Sequence, residues 1–263
     1  MSLSAFANAV QRRWRLSLGL LLAPAALWLC FDVLRLDLPL SAWLHGGAPA
    51  APFPLQHTFF AIALNEYLVP GLAWGSAVAA LALLVLALRS GHVTGRRIAV
   101  FLMMSLALGP GLVVNGILKP HWGRPRPAEV RDFGGTRPFQ APLEANLVGF
   151  ADRGTNGRSF PSGHAAMAFW TTAGFFVARV LWPPLAPWLL GGGLLFGLAG
   201  GAARVIAGRH FLSDILWSGL IVFALNALLA WWLLHRRQQR QGDAPAGAEG
   251  KALDAVQLPD RHA

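Results

Sequence analysis

The sequence predicts an all-α fold, a six-transmembrane-helix bundle with an outward-facing polar loop. Three observations carry that prediction. Only 13% of the 263 residues are charged, where a soluble domain carries about a quarter. The charge sits in patches between apolar stretches, and a bilayer core needs ~20 apolar residues per helix. The 29 glycines and 11 tryptophans suit close helix packing in lipid and anchoring at its interfaces.

The six apolar stretches lie at about 16–34, 67–88, 98–118, 164–182, 188–208 and 212–234. The first follows the basic segment "QRRWR". No small-residue cleavage site follows it in "FDVLRLDLPL", so it reads as an uncleaved span. Cys30 is the only cysteine and cannot form an intrachain disulfide; Trp28 and Leu29 are too large for a lipoprotein cleavage site. Residues 35–66 form an outward segment, in which "LQHTFFAIALNEY" predicts an interfacial amphipathic helix. The third stretch carries Gly109-Pro110-Gly111, where a kink is expected. The loop 119–163 that follows is too long for a mere connector. The glycines of the fifth stretch are packing residues, and Asn226, in the middle of the sixth, predicts an interhelical hydrogen bond. Residues 1–240 read as one domain without internal repeats, and 241–263 have the composition of a disordered tail.

The formal net charge is +10. The basic residues flank apolar runs, which is the pattern of anchors beside anionic headgroups, so no nucleic-acid partner is expected. Arg12, Arg13, Arg15, Arg89, Arg96, Arg97, Arg179, Arg236, Arg237 and Arg240 fall on one side. Arg35, Lys119, Arg124, Arg126, Arg131, Arg137, Arg153, Arg158, Arg204 and Arg209 fall on the other. The two groups are equal in number. The second lies mostly in one long loop and is mixed with Glu129, Asp132, Glu144 and Asp152. Early charge in short connections dominates topology. Both termini are therefore expected in the cytoplasm and the Arg-rich loop outside, in a bacterial inner membrane. Trp122, Trp182, Trp188, Trp231 and Trp232 read as belt residues.

The outward ends of four stretches gather polar groups. The third ends at Lys119 and is followed by Arg126-Pro127. The fourth begins at Ser162-Gly163-His164, the fifth ends near Arg204, and His210 and Asp214 stand at the start of the sixth. Charge at membrane level is expensive and usually lines a site. Three cations repel one another unless an anion joins them, and phosphate is the natural one. His210 and Asp214 are four apart, which places them on one helix face if the sixth helix starts early enough. The carboxylate then fixes the ring tautomer and leaves the other nitrogen as a nucleophile. Ser162 and Gly163 open a helix, where backbone N–H groups point at an anion. His164 is placed to protonate a departing oxygen. For Arg124, Arg158 and Arg209, contact with a substrate head group and solvation of the loop are equally open.

Lys119-(six residues)-Arg126-Pro127, Pro161-Ser162-Gly163-His164 and Arg204-(five residues)-His210-(three residues)-Asp214 together resemble the three signature motifs of the type 2 phosphatidic acid phosphatase family. The resemblance covers about a hundred residues of this chain. It implies metal-independent, cofactor-free phosphate hydrolysis through a phosphohistidine on a membrane lipid phosphate. His210 would be the nucleophile, Asp214 its partner and His164 the general acid. Lys119, Arg126, Ser162, Gly163 and Arg204 would hold the phosphate. Ala203 stands before Arg204 where the motif has serine, which removes a hydroxyl but no charge. "KPHWGRPRPAEVRDFGG" and "NGRSFPSGH" look more like the bacterial lipid A phosphatase branch than the short-loop members. The outward site also admits undecaprenyl diphosphate, phosphatidylglycerol phosphate or phosphatidic acid. Three rival readings stand beside this one. A metal hydrolase using His164, His210 and Asp214 as ligands leaves the cations unexplained. A lipid-to-lipid phosphotransferase shares every motif. An anion transporter would continue its polar residues through the membrane, and these cluster at one face. The oligomeric state is left open.

Overall fold

The computed structural model describes residues 22–47, 52–144 and 157–235. Arg12, Arg13, Arg15, Asp152, Arg153, Arg236, Arg237, Arg240 and the tail 241–263 lie outside the described residues.

Among the described residues the fold is helical and no strand forms; Val130 and Arg137 make one isolated bridge. The main helices, in chain order, are α1 (Leu22–Val33), α2 (Asp37–Leu44), α3 (Phe59–Arg89), α4 (Val93–His121), α5 (163–181), α6 (Pro183–Ile206) and α7 (Leu212–Leu234). Four of them, α3, α4, α6 and α7, are long and apolar enough to cross a membrane. The expected count was six. Of the first predicted span, residues 22–33 form the short apolar helix α1, and 16–21 lie outside the described residues. The fourth predicted span is α5, interrupted by a 3-10 turn at Trp170–Thr172.

α5 is the interior element. Ala165, Ala166, Phe169, Trp170, Ala173 and Phe176 are all buried, and they pack against Phe101 of α4 and Val222 of α7. Polar groups in this run find partners inside the protein. Trp170 Nε1 donates to Ser105 Oγ at 2.7 Å, and Asn226 Nδ2 donates to Thr172 Oγ1 at 3.3 Å. The interhelical bond expected of Asn226 is present. α6 lies against α5 through its glycines. A Cβ on Gly197 would overlap the Phe169 ring, one on Gly193 the Thr172 backbone, and one on Gly201 the Ile215 side chain. Gly191 and Gly192 face open space, so packing accounts for only part of the glycine run.

Two local expectations, for "LQHTFFAIALNEY" and for Trp122, need correction. The stretch "LQHTFFAIALNEY" is not a separate interfacial helix: beyond the 3-10 turn Pro54–His57, it forms the opening of the 31-residue α3. The Gly109-Pro110-Gly111 segment is accommodated within a π-helical stretch, Ala107–Leu118. Proline offers no N–H to the ladder, and the wider turn absorbs the defect. Asn115 Nδ2 then donates to the Pro110 carbonyl at 2.7 Å. Trp122 is not a belt residue, because its indole N–H donates to Pro142 O at 2.7 Å and its ring lies 4.9 Å from Phe160. Trp182, Trp188, Trp231 and Trp232 are exposed, as belt residues should be.

Above one end of the bundle, Phe53, Val130, Phe133 and Phe211 form a second small core. It ties the described parts of the two long connections to the start of α7. Phe211 of this core follows His210 in the chain, and its N–H donates to Asp214 Oδ2.

Candidate active site

Asp214 is fully buried at the N-terminus of α7, and every polar contact around it is specific. Its Oδ2 accepts from the Phe211 N–H at 2.9 Å and from Ser159 Oγ at 2.6 Å. Its Oδ1 accepts from Arg124 Nη1. His210 stands one turn away with Nδ1 3.5 Å from Asp214 Oδ2, an ion-pair separation longer than a good hydrogen bond. The carboxylate faces Nδ1, so the ring carries its proton there and Nε2 keeps a free lone pair. Burial pushes the His210 pKa down to about 4; Asp214 pulls against this, and the charges of Lys119 and Arg204 add to the fall. The nucleophile candidate is therefore neutral near pH 7.

The turn that delivers His210 depends on Gly208. This residue has φ +63°, and its N–H donates to Val205 O at 2.9 Å, closing the end of α6. A left-handed residue at that position is the ordinary helix terminator, and glycine takes it without strain. A Cβ there would also strike the Phe53 ring.

His164 sits in the first turn of α5, and its Nε2 lies 2.9 Å from the Asn65 carbonyl. A carbonyl can only accept, so Nε2 carries the proton and Nδ1 is left to exchange one. The carbonyl is available for a local reason. Residues Ala63–Leu68 form a π-helical turn in which Val69 N–H bonds to Leu64 O. The next residue, Pro70, has no N–H to offer Asn65 O. The orphaned carbonyl takes the imidazole instead. The Asn65 side chain donates to Ala203 O at 3.3 Å, holding the residue before Arg204.

The cations predicted from the sequence do come together. Lys119 feels the charges of Arg126, Arg204 and Arg158, and His164 feels Arg204 and Lys119. Among the described residues, no carboxylate forms an ion pair with Lys119, Arg126 or Arg204. Arg126 Nε and Arg204 Nε are buried without a hydrogen-bond partner. Buried donors are normally satisfied, so this cluster lacks an acceptor that an anion would supply.

Ser162 and Gly163 are buried at the α5 start. The Ser162 hydroxyl caps the helix by accepting from Ala165 N–H at 3.3 Å, and its own N–H donates to Ser218 Oγ at 2.8 Å. Ser162 thus builds the turn, and the N–H groups after it open the helix. Gly163 is required by close approach: a Cβ there would overlap the Asn115 carboxamide.

Sequence reasoning missed the supports behind this arrangement. Arg124 was expected to meet a head group or solvent; instead it is 1% exposed and bound to Asp37 and Asp214. Arg158 and Arg209 are exposed and lie within electrostatic reach of Lys119 and Arg204 respectively. Ser159 and Asn65 carried no motif signal at all.

Three curated relatives match part of this chain. A lipid A 4'-phosphatase of Francisella tularensis subsp. novicida is 34% identical over 55% of this chain and 61% of its own length. Two from Rhizobium etli and Rhizobium leguminosarum, also lipid A 4'-phosphatases, are 41% and 40% identical over 52% of this chain and 49% and 54% of theirs. The chain thus spans roughly half the length of the curated relatives it matches. No solved structure matches. The model of the PAP2 superfamily matches residues 98–239, which hold every one of the predicted phosphate-handling residues. The chain belongs to the PAP2 superfamily.

Proposed function

We propose that this protein is an integral membrane phosphatase that removes a phosphate from lipid A through a phosphohistidine intermediate. The observation that carries the reading is a neutral buried histidine, His210, backed by Asp214 and facing cations that lack acceptors. Phosphoryl transfer asks a protein mainly for positioning and for positive charge on the phosphoryl oxygens. Lys119, Arg126 and Arg204 supply that charge, with the N–H groups at the start of α5. His210 Nε2 attacks phosphorus, a nitrogen–phosphorus bond forms and the bond to the leaving oxygen breaks. His164 enters this step as the imidazolium and gives its Nδ1 proton to that oxygen. It then takes a proton from water, whose oxygen attacks phosphorus and returns His210.

The substrate part of the proposal rests on the relatives' names and on the loop. Arg158 and Arg209 lie within electrostatic reach of Lys119 and Arg204, and Arg131 and Arg137 stand in the loop between α4 and α5, a charge pattern suited to a sugar head bearing more than one phosphate. We infer a periplasmic active site from the charge pattern of the short connections, the face where such a lipid is met after export. The test is phosphate release by the detergent-purified protein, with chelator present. The panel is lipid A, undecaprenyl diphosphate, phosphatidylglycerol phosphate and phosphatidic acid. Preferential release from lipid A supports the proposal. Preferential release from another lipid overturns the substrate, and transfer of label to a second lipid without free phosphate overturns hydrolysis.

A further inference from the structure

The polar groups behind Asp214 continue beyond it. Arg124 donates through Nη2 to Asp37 Oδ2 at 2.8 Å and through Nη1 to Asp214 Oδ1. Its Nε donates to Gln140 O at 3.0 Å, and its guanidinium carbon lies 4.4 Å from the Phe211 ring centroid. Asp37, at the start of α2, accepts from the Ser213 N–H at 3.0 Å and from the Ser213 hydroxyl. Both carboxylates and the guanidinium are fully enclosed. A segment far away in sequence is thereby wired to the residue beside the nucleophile.

An ion triplet this deep is expensive to desolvate, and stability alone is weak grounds for it. The one carboxylate–guanidinium pair needed to keep Asp214 ionised would be complete without Asp37. Burial pushes the Asp37 carboxyl up, against the pull of the Arg124 guanidinium and the Ser213 hydroxyl; with Asp37 ionised, the chain Asp37–Arg124–Asp214 carries one net negative charge. That charge ends on the side of His210 that becomes positive. As Nε2 bonds to phosphorus, the imidazole takes on positive charge, and Nδ1–H points at Asp214 Oδ2. We propose, on the reading that His210 is the nucleophile, that Asp37 and Arg124 are positioning residues for it. Arg124 holds Asp214 as an oriented anion, and Asp37 restores the negative charge that Arg124 cancels, so that the chain stabilises the imidazolium formed in the first step. Preorganised charge where charge develops is the strongest lever a buried site has.

The experiment uses the full chain in detergent and follows phosphate release from bis-phosphorylated lipid A micelles. Asp37→Asn keeps the shape and removes the charge. Its kcat is expected to fall about tenfold, with KM unchanged and with the parental melting midpoint and elution profile. Ser213→Ala, which removes the hydroxyl's hydrogen bond to Asp37 and the one it accepts from Arg124 Nη1 and leaves every charge, should lose about threefold in kcat. This second variant decides the matter if Asp37→Asn does not fold. Parental kcat in the folded variants, or a loss confined to KM, overturns the proposal. A parental protein that releases no phosphate overturns instead the functional reading on which it rests, and the two failures are thereby distinguished.

Discussion

At the scale of single residues, the site depends on protonation states set by burial. His210→Ala removes the nucleophile, and phosphate release should drop to background. Asp214→Asn keeps the shape but leaves Arg124 without its anion and His210 without its partner. A fall of at least about 100-fold in kcat is expected, by analogy with orienting carboxylates elsewhere. The pH profile follows from the depressed His210 value of about 4. A histidine pushed below its ordinary value stays neutral, and able to attack, as pH falls through 6.5. The acidic limb of kcat/KM should therefore have no His210 inflection near 6.5, and the loss of nucleophile should come near pH 4. A His210 imidazole that titrates near 6.5 in an NMR titration of the purified protein would contradict the assigned burial. Stability has the same sign: an unfolded chain takes up a proton at His210 below about 6.5 that the folded chain refuses. This contribution is full above that pH and is lost as pH falls toward 4.

At the scale of elements, two backbone features decide whether the residues meet. Pro70 denies an N–H to Asn65 O, and that carbonyl anchors His164. Pro70→Ala supplies a competing donor from within α3. Phosphate release should fall several-fold, with the bundle still folded; unchanged kcat would show that the anchor is not needed. The α6 glycines make the opposite kind of prediction. Gly197→Val drives a side chain into Phe169 and should cost about 1–3 kcal/mol, read as a lower melting midpoint in detergent. Gly191→Ala, which meets nothing, should leave the midpoint unchanged or slightly raised. Sequence reasoning placed the ends of α4, α6 and α7 and the start of α5 well, because charge marks where apolar runs stop. It split the front of α3 from the rest, because Asn65 and Glu66 interrupt the hydropathy there while the helix continues. It also had no means of finding Asn65 as a partner of His164, since a backbone carbonyl freed by a π turn and a proline leaves no periodic trace. Arg124 was visible in "GRPRP" but not its role. A buried arginine and an exposed one read alike until the second carboxylate, Asp37, is known to lie beside it.

At the scale of the whole molecule, the motif residues converge at one end of the bundle, and the charge pattern predicts which way that end faces. With Cys30 replaced by serine, the chain offers no other thiol. A cysteine introduced at Thr136, exposed in the loop between α4 and α5, should react in intact cells with a thiol reagent that cannot cross the inner membrane. One introduced at Ser90, between α3 and α4, should react only after the membrane is opened. The reverse pattern would place the site in the cytoplasm and remove outward lipids from the substrate class. The relatives named lipid A 4'-phosphatase match over about half of their own length, and the PAP2 superfamily match at residues 98–239 holds the motif residues.

The central claim is that phosphate passes through His210. The most direct measurement is to mix the purified protein with lipid A labelled in its phosphates, quench within one turnover and recover the protein. Label bound to the parental chain, stable to base, labile to acid and absent from His210→Ala, is the predicted result. Phosphate released at the parental rate by His210→Ala would contradict it.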